Sequence, residues 1–167
     1  MSVTNLNPKQ VKFLSLVNNV WLFKSFMFFK LPMGLISGLK VKSINEDEVT
    51  VQVKYKWVNT NPFKSLYFAV LSMAAEMSTG LLSLLYVQDD FAMSILVVKM
   101  EAEFFKKAVG KISFKCKDGN LIREAVGRAK ESGEGVTFET NSVGYDESNS
   151  IVAQFKITWS VKKKSAG

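Results

Sequence analysis

KSLYFAVLSMAAEMSTGLLSLLY, residues 64–86, is the stretch that decides the fold. Leu66, Tyr67, Phe68, Val70, Leu71, Met73, Met77, Leu81, Leu82, Leu84 and Leu85 fall on every face of a helical wheel, and Ala69, Ala74 and Ala75 favour the helix. A helix that is apolar all round belongs in an interior. At ~1.5 Å per residue it spans roughly 30 Å. Glu76 is the one charged residue between Lys64 and Asp89. A carboxylate there is costly unless a hydrogen bond, a wet pocket or an exposed patch holds it. Desolvation raises its pKa, which suits it to taking a proton from water.

Outside this stretch the apolar period changes to two. From Leu35 onward, Leu39 and Val41 alternate with Lys40 and Lys42. After a turn at Asn45-Glu46-Asp47-Glu48, Val49, Val51, Val53, Tyr55 and Trp57 alternate with polar residues, which predicts a hairpin. Asn59 to Pro62 ends it. Beyond the helix, Leu96, Val98, Met100, Ala102 and Phe104 form one apolar face, and Ile112, Phe114 and Cys116 a second. Val136, Phe138 and Thr140 form a third, and the odd positions from Ile151 to Val161 a fourth. Asp118-Gly119-Asn120 marks a turn, and residues 121–131 read as a charged connector, helical or irregular. Six strands with apolar faces toward one buried helix is the expected α+β architecture.

Residues 8–30 read as helical, with Asn7 as N-cap, Pro8 in the first turn and Val11, Leu14, Val17, Trp21 and Phe28 near helical spacing. Phe23–Phe29 reads as a cover packed on the domain. Membrane-surface contact by this basic amphipathic segment is the less favoured reading. The chain thus divides into an N-terminal helical extension (1–34), a main domain (35–161) and a basic tail (162–167).

Composition excludes several chemistries. The 167 residues include no histidine and a single cysteine, Cys116. Ser-His-Asp and Cys-His catalysis, His-ligated metal sites, intramolecular disulfides and CxxC motifs are therefore out of reach, and no metal site is expected. Cys116 falls on the apolar face of its strand and reads as a core residue. The net charge is +7, which suits either solubility or an anionic partner. A nucleic acid is not expected, because the aromatics alternate onto the inward strand faces away from the lysines. Residues 11–31 are interrupted by Asn18, Asn19 and Lys24, and no small-residue cleavage site follows; the expectation is a cytoplasmic protein.

The element order resembles the hot-dog fold: a long central apolar helix wrapped by a curved antiparallel sheet of about six strands. Two motifs sharpen the likeness. Asn61, Tyr67 and Glu76, followed by small residues to Gly80, resemble the start of the central helix in phenylacetyl-CoA-type thioesterases and related uncharacterised hot-dog families. Those carry an Asn, then a His six residues on, then an acid nine further. Phe105-Lys106-Lys107-Ala108-Val109-Gly110-Lys111 resembles their strand-to-strand corner, without its proline.

The resemblance implies an acyl-CoA thioesterase that needs no cofactor, with a coenzyme A thioester as substrate. Glu76 takes the general-base position, Asn61 the Asn position and Tyr67 the His position. Ser78 and Thr79 would orient the carboxylate or its water. The backbone N–H groups of Phe68 and Ala69 would polarise the carbonyl, and Lys106 and Lys107 could meet the coenzyme A phosphates. Tyr67 is a departure, since a phenol donates a hydrogen bond but takes no proton at neutral pH. A catalytically silent acyl-CoA or lipid-binding hot-dog protein is the alternative. A homodimer, or a dimer of dimers, is expected because one sheet leaves its edges open.

Overall fold

The computed structural model describes residues 6–88 and 93–164; residues 1–5 of the N-terminal extension and 165–167 of the basic tail lie outside the described residues. Helices α1 (Pro8–Asn18), α2 (Val20–Lys30) and α3 (Pro32–Ile36) precede the hairpin β1 (Lys40–Ile44) and β2 (Val49–Lys54). A 3-10 turn (Trp57–Asn59) leads to α4 (Phe68–Val87). Then come β3 (Met93–Phe104), β4 (Lys111–Cys116), α5 (Gly119–Ser132), β5 (Val136–Tyr145) and β6 (Ile151–Lys163). The strands form one antiparallel sheet in the order β1-β2-β4-β5-β6-β3.

The expected architecture is present. The apolar stretch forms α4, and most of its residues, from Val70 to Tyr86, are buried. The inward strand residues Val51, Val53, Ile112, Phe114, Phe155 and Ile157 are closed to solvent. Phe155 meets the edges of Phe104 and Phe114 at 5.7 Å between ring centroids. Gly144 makes this packing possible, since a Cβ there would sit 2.7 Å from the Phe114 ring. The hydroxyls that α4 carries inward are satisfied: Ser78 donates to the Ala75 carbonyl, and Ser83 to that of Thr79. Cys116 is buried, and desolvation pushes its thiol up to about 12.

Local polar groups account for several differences from the sequence expectations. The helical run 8–30 breaks at Asn19, whose side chain accepts from the N–H groups of Trp21 and Leu22 and so caps a second helix. No strand starts at Leu35; residues 32–36 close a short helix, Gly38 turns at φ 81°, and pairing begins at Lys40. β2 stops at Lys54, short of Tyr55 and Trp57. Asn59 is the cause: its side chain accepts from the Lys56 N–H and donates to the carbonyls of Lys54 and Ser37, groups a longer ladder would use. The charged connector is the full helix α5, with Ile122, Ala125, Val126 and Ala129 as its buried stripe. Lys162 and Lys163, read as tail, end β6 opposite Ser94 and Met93.

The largest difference lies in β3. The sequence suggests one unbroken apolar face from Leu96 to Phe104. A bulge between Val97 and Lys99 shifts the phase. Val97 pairs with Trp159, but Met100 and Ala102 pair with Ile157 and Phe155. Ile95 and Val97 therefore pack on the core, while Leu96 is 67% exposed. Among the described residues β3 pairs only with β6 and forms an edge of the sheet.

Candidate functional site

Glu76, Gly80 and Leu84 recur every four residues along α4, so they share one face. That face opens on a cavity of about 170 Å³. Met77 and Leu81 of α4, Leu31 at the α2–α3 corner, Ile95 of β3 and Trp159 of β6 complete its walls. The lining is apolar except for the Glu76 carboxylate. Burial raises the pKa of that carboxyl above its ordinary value. Among the described residues no hydrogen bond or salt bridge reaches it.

Gly80 makes room for it. A Cβ at Gly80 would lie 3.1 Å from Glu76 Oε1 and 3.2 Å from Trp159 Cη2. The Trp159 ring is held by its indole N–H, which donates to Thr79 Oγ1 at 3.2 Å. Sequence reasoning missed Gly80, Trp159, Leu31 and Ile95. Gly80 was detectable as the small residue four beyond the lone acid. The other three reach the site only through tertiary packing.

Ser78 and Thr79 do not orient the carboxylate as expected. Ser78 Oγ bonds the Ala75 carbonyl and Ser142 Oγ, both at 2.8 Å. Thr79 Oγ1 donates to the Glu76 carbonyl at 3.1 Å and accepts from Trp159. Thr79 therefore acts on the cavity wall, and Ser78 ties α4 to β5.

The remaining candidates gather at the other end. Asn61, Phe68, Lys106 and Lys107 line a groove of about 310 Å³ with Phe63, Phe104 and Phe105. Asn61 builds the loop: its Oδ1 accepts from the N–H groups of Phe63 and Ser65, and its Nδ2 donates to Ser65 Oγ and the Leu66 carbonyl. Leu66 N–H donates to the Ala108 carbonyl. The two motifs of the sequence thus touch. Tyr67 is the N-cap of α4, 45% exposed, with its ring edge-on to Phe68 at 4.8 Å. Among the described residues no side chain caps the first turn, so the Phe68 and Ala69 N–H groups have no side-chain acceptor there.

Lys106 pairs with Asp146, holding that carboxyl well below its usual range, and Lys107 donates to the Phe63 carbonyl at 3.4 Å. Asn61→Ala removes the bonds that order residues 61–66. It is expected to cost about 1–2 kcal/mol in urea unfolding; an unchanged midpoint would mean that backbone bonds alone hold the loop.

Glu76 lies nine residues beyond Tyr67, so ~13 Å of helix separates them. One chain therefore does not bring Asn61, Tyr67 and the uncapped helix start to the Glu76 cavity.

Residues 19–161 match the family model described as a domain of unknown function, DUF4442. No curated protein matches the chain. Several solved structures share its fold. A Pseudomonas aeruginosa protein of unknown function, described as a probable thioesterase, is 23% identical over 86% of this chain and 95% of its own, with a TM-score of 0.73. A Chlorobaculum tepidum protein of unknown function is 16% identical over 95% and 98%, also at 0.73. A Haemophilus influenzae thioesterase is 12% identical over 87% and 91%, at 0.62. The hot-dog fold is common to them and to this chain.

Proposed function

This chain belongs to the DUF4442 family, a domain of unknown function, and we propose that it is a thioester hydrolase: a homodimeric acyl-CoA thioesterase with Glu76 as general base. The observation that carries this reading is the partly buried Glu76 carboxylate, without a protein partner among the described residues, in an otherwise apolar cavity. The fold shared with thioesterases agrees with it.

The carboxylate takes a proton from water as that water attacks the thioester carbonyl carbon. Negative charge develops on the carbonyl oxygen. The C–S bond then breaks, and Glu76 returns its proton to the departing coenzyme A thiolate, releasing the carboxylic acid and the thiol. The oxygen needs donors near the attacking water, and in one chain the Phe68 and Ala69 N–H groups are ~12 Å of helix away. A second copy supplies them if its α4 start meets the first copy's Glu76. Pairing along the open β3 edge, with its exposed Leu96 and Val98, favours such a dimer. The groove lysines Lys106 and Lys107 would then lie toward the coenzyme A phosphates.

The test is thiol release from a panel of short- to long-chain acyl-CoAs, with light scattering on the same sample. Turnover of at least one substrate by a dimer is expected. Binding in calorimetry without thiol release would overturn hydrolysis. A monomer that turns substrate over would overturn the composite site.

A further inference from the structure

The outward face of α2 plays no part in the proposed reaction. Phe23 and Met27 anchor the helix in the core. On the opposite side Trp21 and Phe29 are each 77% exposed, and Leu22 and Phe28 flank them. The face continues onto α3 through Met33. A helix apolar on both sides yet lying at the surface leaves one apolar side uncovered, which marks an interaction surface.

Its charge says what covers it. No acidic residue precedes Glu46, while six lysines do. Lys24 holds its ammonium 5.1 Å above the Trp21 ring, and Lys30 ends the helix. Exposed aromatics with Lys24 over one of them and Lys30 at the helix end match an interface of acyl chains under anionic headgroups. A second copy fits less well, since two such faces would bring lysine to lysine with no acid between them.

We propose that the α2–α3 face docks on an anionic lipid bilayer, Trp21, Phe28 and Phe29 entering the headgroup boundary and Lys24 and Lys30 meeting lipid phosphates. Leu31 belongs both to this segment and to the Glu76 cavity, so docking sets the cavity wall beside the bilayer. The docking does not depend on thioester hydrolysis, and its test involves no turnover.

The full chain is floated with phosphatidylcholine vesicles, with and without phosphatidylglycerol. Salt-sensitive flotation with the anionic vesicles is expected. The triple variant W21A/F28A/F29A is expected to lose about tenfold or more in partitioning. Lys24→Glu with Lys30→Glu should lose a similar factor on anionic vesicles only. All five positions are exposed or partly exposed and none is a residue of the buried Phe23–Met27 anchor, so thermal melting of each variant should match the wild type and confirms folding. Absence of flotation, or a triple variant that floats like the wild type, would overturn the proposal. So would a wild-type oligomer that the triple variant dissolves, because a second copy would then own the face.

Discussion

Glu76→Gln is expected to lower thioester hydrolysis by about 10²–10⁴-fold, the usual worth of a positioned general base, while the fold persists. The amide fills the same space beside Gly80 and Trp159 but takes no proton from water. The pH dependence makes the prediction specific. Burial raises the Glu76 pKa in the folded chain. The folded state thus binds this proton more tightly than the unfolded state, so stability falls as pH rises from the unfolded pKa to the folded one. Below that window no penalty applies; above it the penalty is constant. Activity runs the opposite way, rising through the same folded pKa as the base form appears. In Glu76→Gln the stability decline assigned to this group should vanish together with the activity. Denaturant titrations across the acid range and initial rates on one acyl-CoA check both halves. Full turnover by the variant would remove Glu76 from the chemistry.

Gly119→Ala is expected to destabilise the chain by about 3 kcal/mol, lowering the melting temperature by roughly 10 °C. A Cβ at Gly119 would lie 2.2 Å from the Glu46 carbonyl oxygen and 2.6 Å from Asp47 Cα, both backbone atoms. That backbone has little freedom to yield. Asn45 Oδ1 ties the N–H groups of Asp47 and Glu48, Tyr86 Oη donates to the Glu46 carbonyl at 2.7 Å, and Gly119 N–H donates to that of Asp47. Gly127, in the same helix, has nothing within 4 Å of an added Cβ. Gly127→Ala should therefore be neutral or stabilising, by up to about 1 kcal/mol. Calorimetry on the pair separates steric exclusion from helix propensity; equal melting temperatures would refute the steric account.

Much of the architecture was legible because the signals were local and repeated. The all-round apolar run of α4 permits little but burial, and the alternations in β4 and β6 place Phe114, Phe155 and Ile157 inward as expected. Legibility failed where a single side chain redirected the backbone, as at Asn19 and Asn59. It failed again at the β3 bulge, since Leu96 and Val98 look the same on either face until the partner strand sets the register. The stripe of α5 was present in the sequence but hidden by its charged neighbours.

The candidate site divides along the same line. From the sequence alone came the buried apolar helix, its one acid, and the Asn61 and corner motifs that touch through Leu66 and Ala108. Helix geometry alone also separates Glu76 from the start of α4, because nine residues at a fixed rise cannot be folded away. Only the tertiary structure showed that Glu76 opens on a cavity walled by Leu31, Ile95 and Trp159, residues far from it in the chain. Only packing, likewise, turned one side of α2 into the core and left Trp21, Phe28 and Phe29 outside. Hydrophobicity records that a residue favours burial; which residues obtain it depends on the finite surface the rest of the chain can cover.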